Sequence, residues 1–264
     1  MPPETTRLVA FRGGGFAPVN RAWAGAVTLL GLVVLWQTGA WAGLIPTLFL
    51  PPPASIARAL WHLTVTGELW THLSASLLRL AIGWTVGTVF GIGLGLAAGL
   101  WSAFRSPAMA VVAALFPIPK IALVPLFIIW FGIGEGSKIA TLAFGTFFPT
   151  VVATVGGVDN VPRGLIRMGQ SFGLSTWAIV RRIVLPGALP AILSGFRVTS
   201  SIAIVLLVAA EMIGAEHGIG AFVLAAGNLY DTDNLLAGIV VLSLMGLTVA
   251  WAIGVAEKVL LRWR

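Results

Sequence analysis

The chain has 264 residues, of which 58% are hydrophobic and 9% charged, and its formal net charge is +7. A water-soluble domain could not bury that much apolar surface in its own core, so the composition indicates an integral membrane protein. The basic excess lacks an accompanying basic and aromatic surface motif, which argues against nucleic acid as a partner. Cysteine is absent, so disulfides and thiolate metal sites are excluded.

Six apolar segments are long enough to cross a bilayer, and they predict an all-α, polytopic membrane protein. We expect the spans at about 22–43, 75–100, 107–131, 139–157, 192–213 and 235–256. They form a single transmembrane domain over residues 22–257, flanked by tails at 1–21 and 258–264. Between the first two spans, residues 55–63 favour an interfacial helix on the outer face over a binding site.

The basic residues set the orientation of these spans. With the amino terminus inside, 11 of the 16 Lys and Arg residues face the cytoplasm: Arg7, Arg12, Arg21, Arg105, Arg163, Arg167, Arg181, Arg182, Lys258, Arg262 and Arg264. This bias satisfies the positive-inside rule. We therefore expect both termini and the polar segment 158–190 in the cytoplasm.

The second span carries a glycine at every fourth position. One face of this helix is therefore nearly bare backbone, which lets another helix approach closely or slide along it. Five glycines in register go well beyond a single small-residue pair. We predict that they form a helix-packing face: Gly83, Gly87, Gly91, Gly95 and Gly99.

The third span contains Pro117, Pro119 and Pro125, with Lys120 among them. A regular helix must break or kink there. Irregular backbone at membrane depth is tolerated only where protein or a water-filled path satisfies its polar groups. We expect residues 116–125 to line a translocation pathway, in which Lys120 offers a positive charge to an anion.

Three further charged residues lie in or beside spans and are weaker candidates for the same pathway: Arg79, Arg197 and Glu211. A charge near the end of a span is usually snorkelled to the interface. Glu211 is expected to pair with Arg79 or Arg197 rather than to contact an anion. The alternative for Lys120 is that it snorkels or pairs with Glu211.

Residues 163–190 form the longest polar stretch in this otherwise apolar sequence, with four arginines and no acid. Leu165, Met168 and Phe172 recur at helical spacing opposite polar residues, which predicts a short amphipathic helix. We expect Gly173 to end this helix in the left-handed conformation.

A second helix is predicted to follow this glycine. Ser175 can cap its first turn, and it is expected to run to about Val184. Pro186 and Pro190 are expected to stop it and turn the chain back toward apolar sequence.

The spacing from Gly173 to the run IVLP at 183–186 resembles the conserved cytoplasmic loop of permease subunits in bacterial ATP-binding cassette importers. That family usually has an acid six residues before the glycine, followed by two alanines, whereas this chain has Arg167, Met168 and Gly169. The resemblance implies coupling helices that dock into separate ATPase subunits. The residues expected to form this contact are Arg163, Arg167, Gly169, Phe172, Gly173, Leu174, Ile183, Leu185 and Pro186.

The resemblance extends from about residue 50 to the end of the chain. The runs LVPLFIIWFGIGEGSKI at 123–139 and GLSTWAIVRRIVLPGALPAILSGFR at 173–197 look like those of aliphatic sulfonate, taurine and nitrate permeases. It implies a type I importer permease fold in the bacterial inner membrane, assembled as a homodimer. Two cytoplasmic ATPases, which bind ATP and Mg, and an extracytoplasmic substrate-binding protein would complete the importer.

Two other classes of function compete with a permease. An intramembrane enzyme is disfavoured because the three histidines show no metal-ligand spacing, and no lysine lies in a Walker A loop. A membrane anchor or assembly scaffold would not need a broken, lysine-bearing span beside a glycine-faced one. Among permeases, a carrier of a neutral small metabolite remains an alternative to a carrier of small anions.

Overall fold

The computed structural model describes residues 22–263, and these form helices without any strand. The predicted cytoplasmic tail at 1–21 and the terminal Arg264 lie outside the described residues. The helices are α1 (Ala22–Trp41), α2 (Pro53–Thr66), α3 (Glu68–Leu100), α4 (Ser102–Leu115), α5 (Val124–Phe131), α6 (Glu135–Asp159), α7 (Arg163–Ser171), α8 (Thr176–Ile179), α9 (Leu185–Met212), α10 (Ile219–Asn228) and α11 (Thr232–Leu260). A 3₁₀ turn at Lys120–Leu123 precedes α5, and a π-helical turn at Val180–Val184 joins α8 to α9.

Five of the described helices are long and apolar enough to cross a membrane: α1, α3, α6, the helix Thr176–Met212, and α11. A sixth span is broken, since α4 and the segment Lys120–Phe131 meet at a bend of 88°. The prediction of an all-α, polytopic protein with a disrupted third span is therefore confirmed. The prolines at the bend explain it, because proline removes a backbone donor and clashes with the preceding turn.

The chain forms two compact units, one that ends at Ser55 and one that begins at Ile56. The first contains α1 and the loop after it, where the side-chain oxygen of Gln37 accepts a hydrogen bond from the backbone N–H of Ala54 at 2.9 Å. The second contains all the remaining spans. Its core clusters join α3, α6, α9 and α11 around Leu142 and Leu207, and α3, α4 and α6 around Phe148 and Val151.

Helices α3 and α6 are in close contact along the predicted glycine strip. Each glycine faces a residue of α6 that also recurs every fourth position: Gly83 faces Leu142, Gly87 faces Thr146, Gly91 faces Thr150, Gly95 faces Thr154 and Gly99 faces Val158. The threonine hydroxyls bond to carbonyls of their own helix one turn earlier, at 2.7–2.9 Å. The hydrogen bonds of these hydroxyls are thus satisfied within α6. The atoms that face the glycines are the Oγ1 of Thr146 and the β-carbons and methyl groups of Thr150 and Thr154.

Candidate functional site

The polar segment after α6 folds into two short helices that meet at Gly173. Helix α7 ends at Ser171, and Gly173 adopts a left-handed φ of +69°. The side chain of Ser175 accepts a hydrogen bond from the N–H of Ala178 at 3.3 Å. The predicted glycine cap and serine cap are both present in the structure.

A small core beneath this hinge fixes the angle between the two helices. Its buried residues are Val161, Ile179 and Val184, and Leu174 and Ile183 pack against them. A Cβ at position 169 would lie 2.9 Å from the terminal methyl of Ile183, so Gly169 permits the close approach of α7. The predicted coupling residues Gly169, Leu174 and Ile183 therefore hold the segment together from within.

Other side chains of the segment are exposed, on both the polar and the apolar side of α7, and we call this set the coupling surface. Its members are Arg163, Leu165, Arg167, Met168, Phe172, Trp177, Arg181 and Arg182. The two aromatic side chains are prominent, with Phe172 78% and Trp177 69% exposed. Exposed aromatic residues beside arginines are the composition found at the centres of protein–protein interfaces.

The prediction that Pro186 and Pro190 stop the second helix is wrong. The helix continues from Thr176 to Met212, with both prolines inside it and Leu185 and Pro186 half-buried at the start of α9. The π-helical turn supplies the physical reason, since the N–H of Leu185 bonds to the carbonyl of Val180, five residues back. Such local adjustments satisfy the backbone around proline and let a membrane helix continue past it.

The broken span borders a cleft of about 320 Å³. Residues 116–121 form one wall, including the predicted Pro117, Pro119 and Lys120. The other lining residues come from α6 and α9: Gly145, Pro149, Ile202 and Leu206.

Lys120 carries the charge of this cleft. Its ammonium group donates a hydrogen bond to the carbonyl of Phe116 and lies 5.1 Å and 5.4 Å from the ring centres of Phe116 and Phe148. At these distances both rings attract the cation electrostatically. The amine is thus held near two aromatic rings, and the described residues give it no carboxylate partner.

Arg79 and Glu211 form a buried network near the C-terminal end of α9, away from the coupling surface. Arg79 donates to Glu211 at 2.8 Å and to the carbonyl of His217 at 2.6 Å. It also forms a bidentate pair with Glu135, at 2.5 Å and 2.7 Å. Of the two partners expected for Glu211, the structure selects Arg79.

Further hydrogen bonds satisfy the carboxylate of Glu211, whose side chain is fully buried. It accepts from the Ser76 hydroxyl at 2.7 Å and from the backbone N–H of Gly220 at 2.9 Å, in the first turn of α10. The network therefore ties α3, α6, α9 and α10 to one another. Because each charge has a partner, its burial is tolerated.

The remaining predicted pathway residues lie apart from the cleft. Arg197 on α9 pairs with Glu257 on α11 at 2.7 Å. Pro125 occupies the first turn of α5, where a missing N–H costs little. The structure thus brings Pro117, Pro119 and Lys120 together, and places Arg79, Arg197, Glu211 and Pro125 elsewhere.

Sequence reasoning missed three groups of residues. Glu135 was not singled out, because nothing local links it to Arg79, which is 56 residues away. The α6 side of the cleft, Gly145 and Pro149, was missed as well, although a proline inside an apolar span is a visible signal. The threonines Thr146, Thr150 and Thr154 repeat at the spacing of the glycines, and this matching period could have identified the partner of the glycine strip.

The fold and site together define a polytopic, all-α membrane protein with a bent apolar segment beside a cleft and an exposed segment rich in arginine and aromatic residues. Comparison with known proteins gives its family. Residues 87–262 match the family described as binding-protein-dependent transport system inner membrane component, and the chain belongs to that family.

Individual relatives cover nearly the whole chain. The taurine transport system permease protein TauC of Escherichia coli (strain K12) is 37% identical over 89% of this chain and 88% of its own. The riboflavin transport system permease protein RibX of Chloroflexus aurantiacus is 33% identical over 90% of this chain and 88% of its own. A chain of the inward-facing MetNI methionine ABC transporter aligns with a TM-score of 0.63 and 21% identity, over 73% of this chain and 95% of that one. This likeness supports the expected type I importer permease fold.

Proposed function

We propose that this chain is a subunit of a homodimeric permease that carries a small organic anion, of the sulfonate class, across the bacterial inner membrane. The observation that carries the proposal is the cleft at the broken span, where Lys120 presents a cation without a carboxylate partner among the described residues. A sulfonate bears a fixed negative charge. Lys120 would attract it electrostatically while the apolar walls contact its carbon skeleton.

The cleft supports a dimer because its backbone and its charged amine would be costly to expose to lipid. Residues 116–119 lack regular helical structure, and Lys120 follows them directly. Irregular backbone and a charged amine are costly against hydrocarbon and are tolerated beside protein or water. A second copy of the chain facing this cleft would enclose a water-filled path between the two copies. Membrane lipid would contact the other exposed apolar faces.

Energy would come from two cytoplasmic ATPase subunits docked on the coupling surface, and these partners would bind ATP and Mg. The small core beneath α7 and α8 makes the segment rigid enough to transmit a push into α9, because the helix is continuous from Thr176 to Met212. A substrate-binding protein would deliver the anion at the opposite face. In this orientation both termini would lie in the cytoplasm, on the same side of the membrane as the ATPases.

A neutral metabolite is the second candidate substrate. The similarity to a riboflavin permease favours it, as does the mainly apolar lining of the cleft. The two candidates differ in their need for the charge of Lys120. An anion is attracted electrostatically to a cation held at membrane depth, whereas a neutral heterocycle is not.

Uptake by proteoliposomes tests the proposal. The wild-type complex with its ATPase and binding protein should accumulate radiolabelled taurine or a short alkanesulfonate when ATP is supplied. Vesicles without ATP, and vesicles without the binding protein, are the matched controls. Uptake of riboflavin with no uptake of any sulfonate would replace the first candidate with the second, and no ATP-dependent uptake of either would contradict both.

A further inference from the structure

The coupling surface is strongly basic, and its charges are not neutralised within the chain. Between Asp159 and Glu211 the sequence contains no acid. Arg167, Arg181 and Arg182 are exposed and form no ion pair or side-chain hydrogen bond with another residue of the described part of the chain.

The acid nearest in sequence is already engaged. Asp159 accepts two hydrogen bonds from Arg105, at 2.7 Å and 2.6 Å, across from the start of α7. Arg163 lies close enough to Asp159 to interact with it electrostatically, but that carboxylate is shared. The four arginines of the surface therefore lack a full counter-charge in the isolated chain.

The same surface presents two large exposed aromatic side chains, Phe172 and Trp177, on either side of the glycine hinge. A partner that buries these rings must also provide hydrogen-bond acceptors for the arginines beside them. Carboxylates are the natural acceptors, because a guanidinium pairs with a carboxylate through two parallel hydrogen bonds. A groove with apolar floor and acidic rim would satisfy both groups at once.

We propose that the coupling surface docks into an acidic groove of the partner ATPase, with Arg167 paired to a carboxylate of that subunit. This inference rests on the proposed function, since it assumes that an ATPase is the partner. Arg167 is the diagnostic residue because α7 is a separate nine-residue helix that is not part of a membrane-spanning one, whereas Arg181 and Arg182 belong to the span Thr176–Met212. Arg167 is therefore better placed for a protein partner than for lipid headgroups.

The experiment measures binding of the purified ATPase to the full-length chain in neutral detergent, over a series of salt concentrations. Wild-type affinity should fall steadily as salt increases, because screening weakens exposed charge pairs. Arg167→Glu should weaken binding about tenfold or more at low salt, and Arg167→Lys should keep most of it, since reversing a paired charge costs on the order of one such factor or more. Arg262→Glu, an exposed arginine beyond α11, is the matched control and should bind as wild type does.

Each other outcome has a definite meaning. No ATPase binding by the wild-type chain would contradict the proposed function itself. Binding that is strong but insensitive to salt and to Arg167→Glu would overturn the acidic groove alone. If Arg167→Glu lost ATPase binding only in vesicles of anionic lipid, and not in neutral detergent, the surface would be assigned to lipid headgroups. The salt series uses no variant, so its outcome does not depend on whether Arg167→Glu folds.

Discussion

Gly91 of α3 lies directly against Thr150 of α6: a Cβ atom at position 91 would come within 2.7 Å of the Thr150 Cβ. The same relationship recurs one turn away in each direction along the interface. Because the glycines lack side chains, the backbone of α3 packs directly against the threonine side chains and backbone carbonyls of α6. This contact is the main packing interface of the bundle.

Replacement of Gly91 by leucine should therefore separate α3 from α6. Overpacking of a close-packed interface costs about 1–3 kcal/mol, and a side chain of this size should reach the upper end. The measurement is the thermal unfolding midpoint of the purified chain in detergent. Gly93→Leu is the control, because a Cβ at Gly93 meets nothing within 4 Å. Equal effects of the two substitutions would contradict the packing account.

Gly173 should tolerate asparagine but not valine. Its φ of +69° costs an ordinary residue about 1–2 kcal/mol, most for a β-branched one, whereas asparagine visits this region readily. Valine should tilt α7 against α8 and weaken ATPase binding or uncouple hydrolysis from transport. Gly164→Val is the matched control within α7, where a Cβ has open space. Transport at the wild-type rate by Gly173→Val would show that the hinge is not required.

The buried network predicts unequal effects for its two acids. Glu211 is fully buried, whereas the side chain of Glu135 is 57% exposed. Glu211→Gln should lower the stability of the purified chain by about 1–3 kcal/mol, because a buried charged group loses its counter-charge. Glu135→Gln should cost less, since the carboxylate of Glu135 is largely solvated already and Arg79 keeps Glu211 as its buried partner. A larger loss for Glu135→Gln, measured by thermal unfolding, would be inconsistent with this network.

Lys120 should be needed for transport but not for assembly. In proteoliposomes, Lys120→Met should reduce taurine uptake, while Lys120→Arg keeps the positive charge and should retain more of it. Affinity of the binding protein for its ligand should not change, because that protein binds substrate on its own. Unaltered uptake by Lys120→Met would assign the pathway to the uncharged residues around Pro117 and Pro119.

The sequence predicts the parts of this fold that depend on local chemistry. Apolar runs predicted the spans, and prolines 117, 119 and 125 predicted the broken one. Gly173 and Ser175 predicted the two caps. Partners distant in the chain were not predictable, because no local pattern links Arg79 to Glu135. The continuity of the helix through Pro186 was also missed, since a π-helical turn is a backbone adjustment that leaves no clear residue pattern.

The coupling surface was only partly predictable. Helical spacing identified Leu165, Met168 and Phe172 as one face of α7, but not whether that face packs inward or points outward. The structure turns it outward, because Gly169 and the hinge residues pack toward Ile183 instead. The choice depends on contacts of α7 with α8 and with the π-helical turn, which spacing along one helix does not contain.

The central claim is that a hydrophilic anion crosses through the cleft beside Lys120, and thiol labelling tests it most directly. The natural chain has no cysteine, so a single one can be introduced without removing others. In the reconstituted complex, Ile121→Cys on the cleft wall should react with a negatively charged, water-soluble thiol reagent, and the reaction should block taurine uptake. Leu247→Cys, exposed on the apolar middle of α11, should react only with a membrane-permeant reagent. If Ile121→Cys also reacted only with the membrane-permeant reagent, the cleft would face lipid and the claim would be wrong.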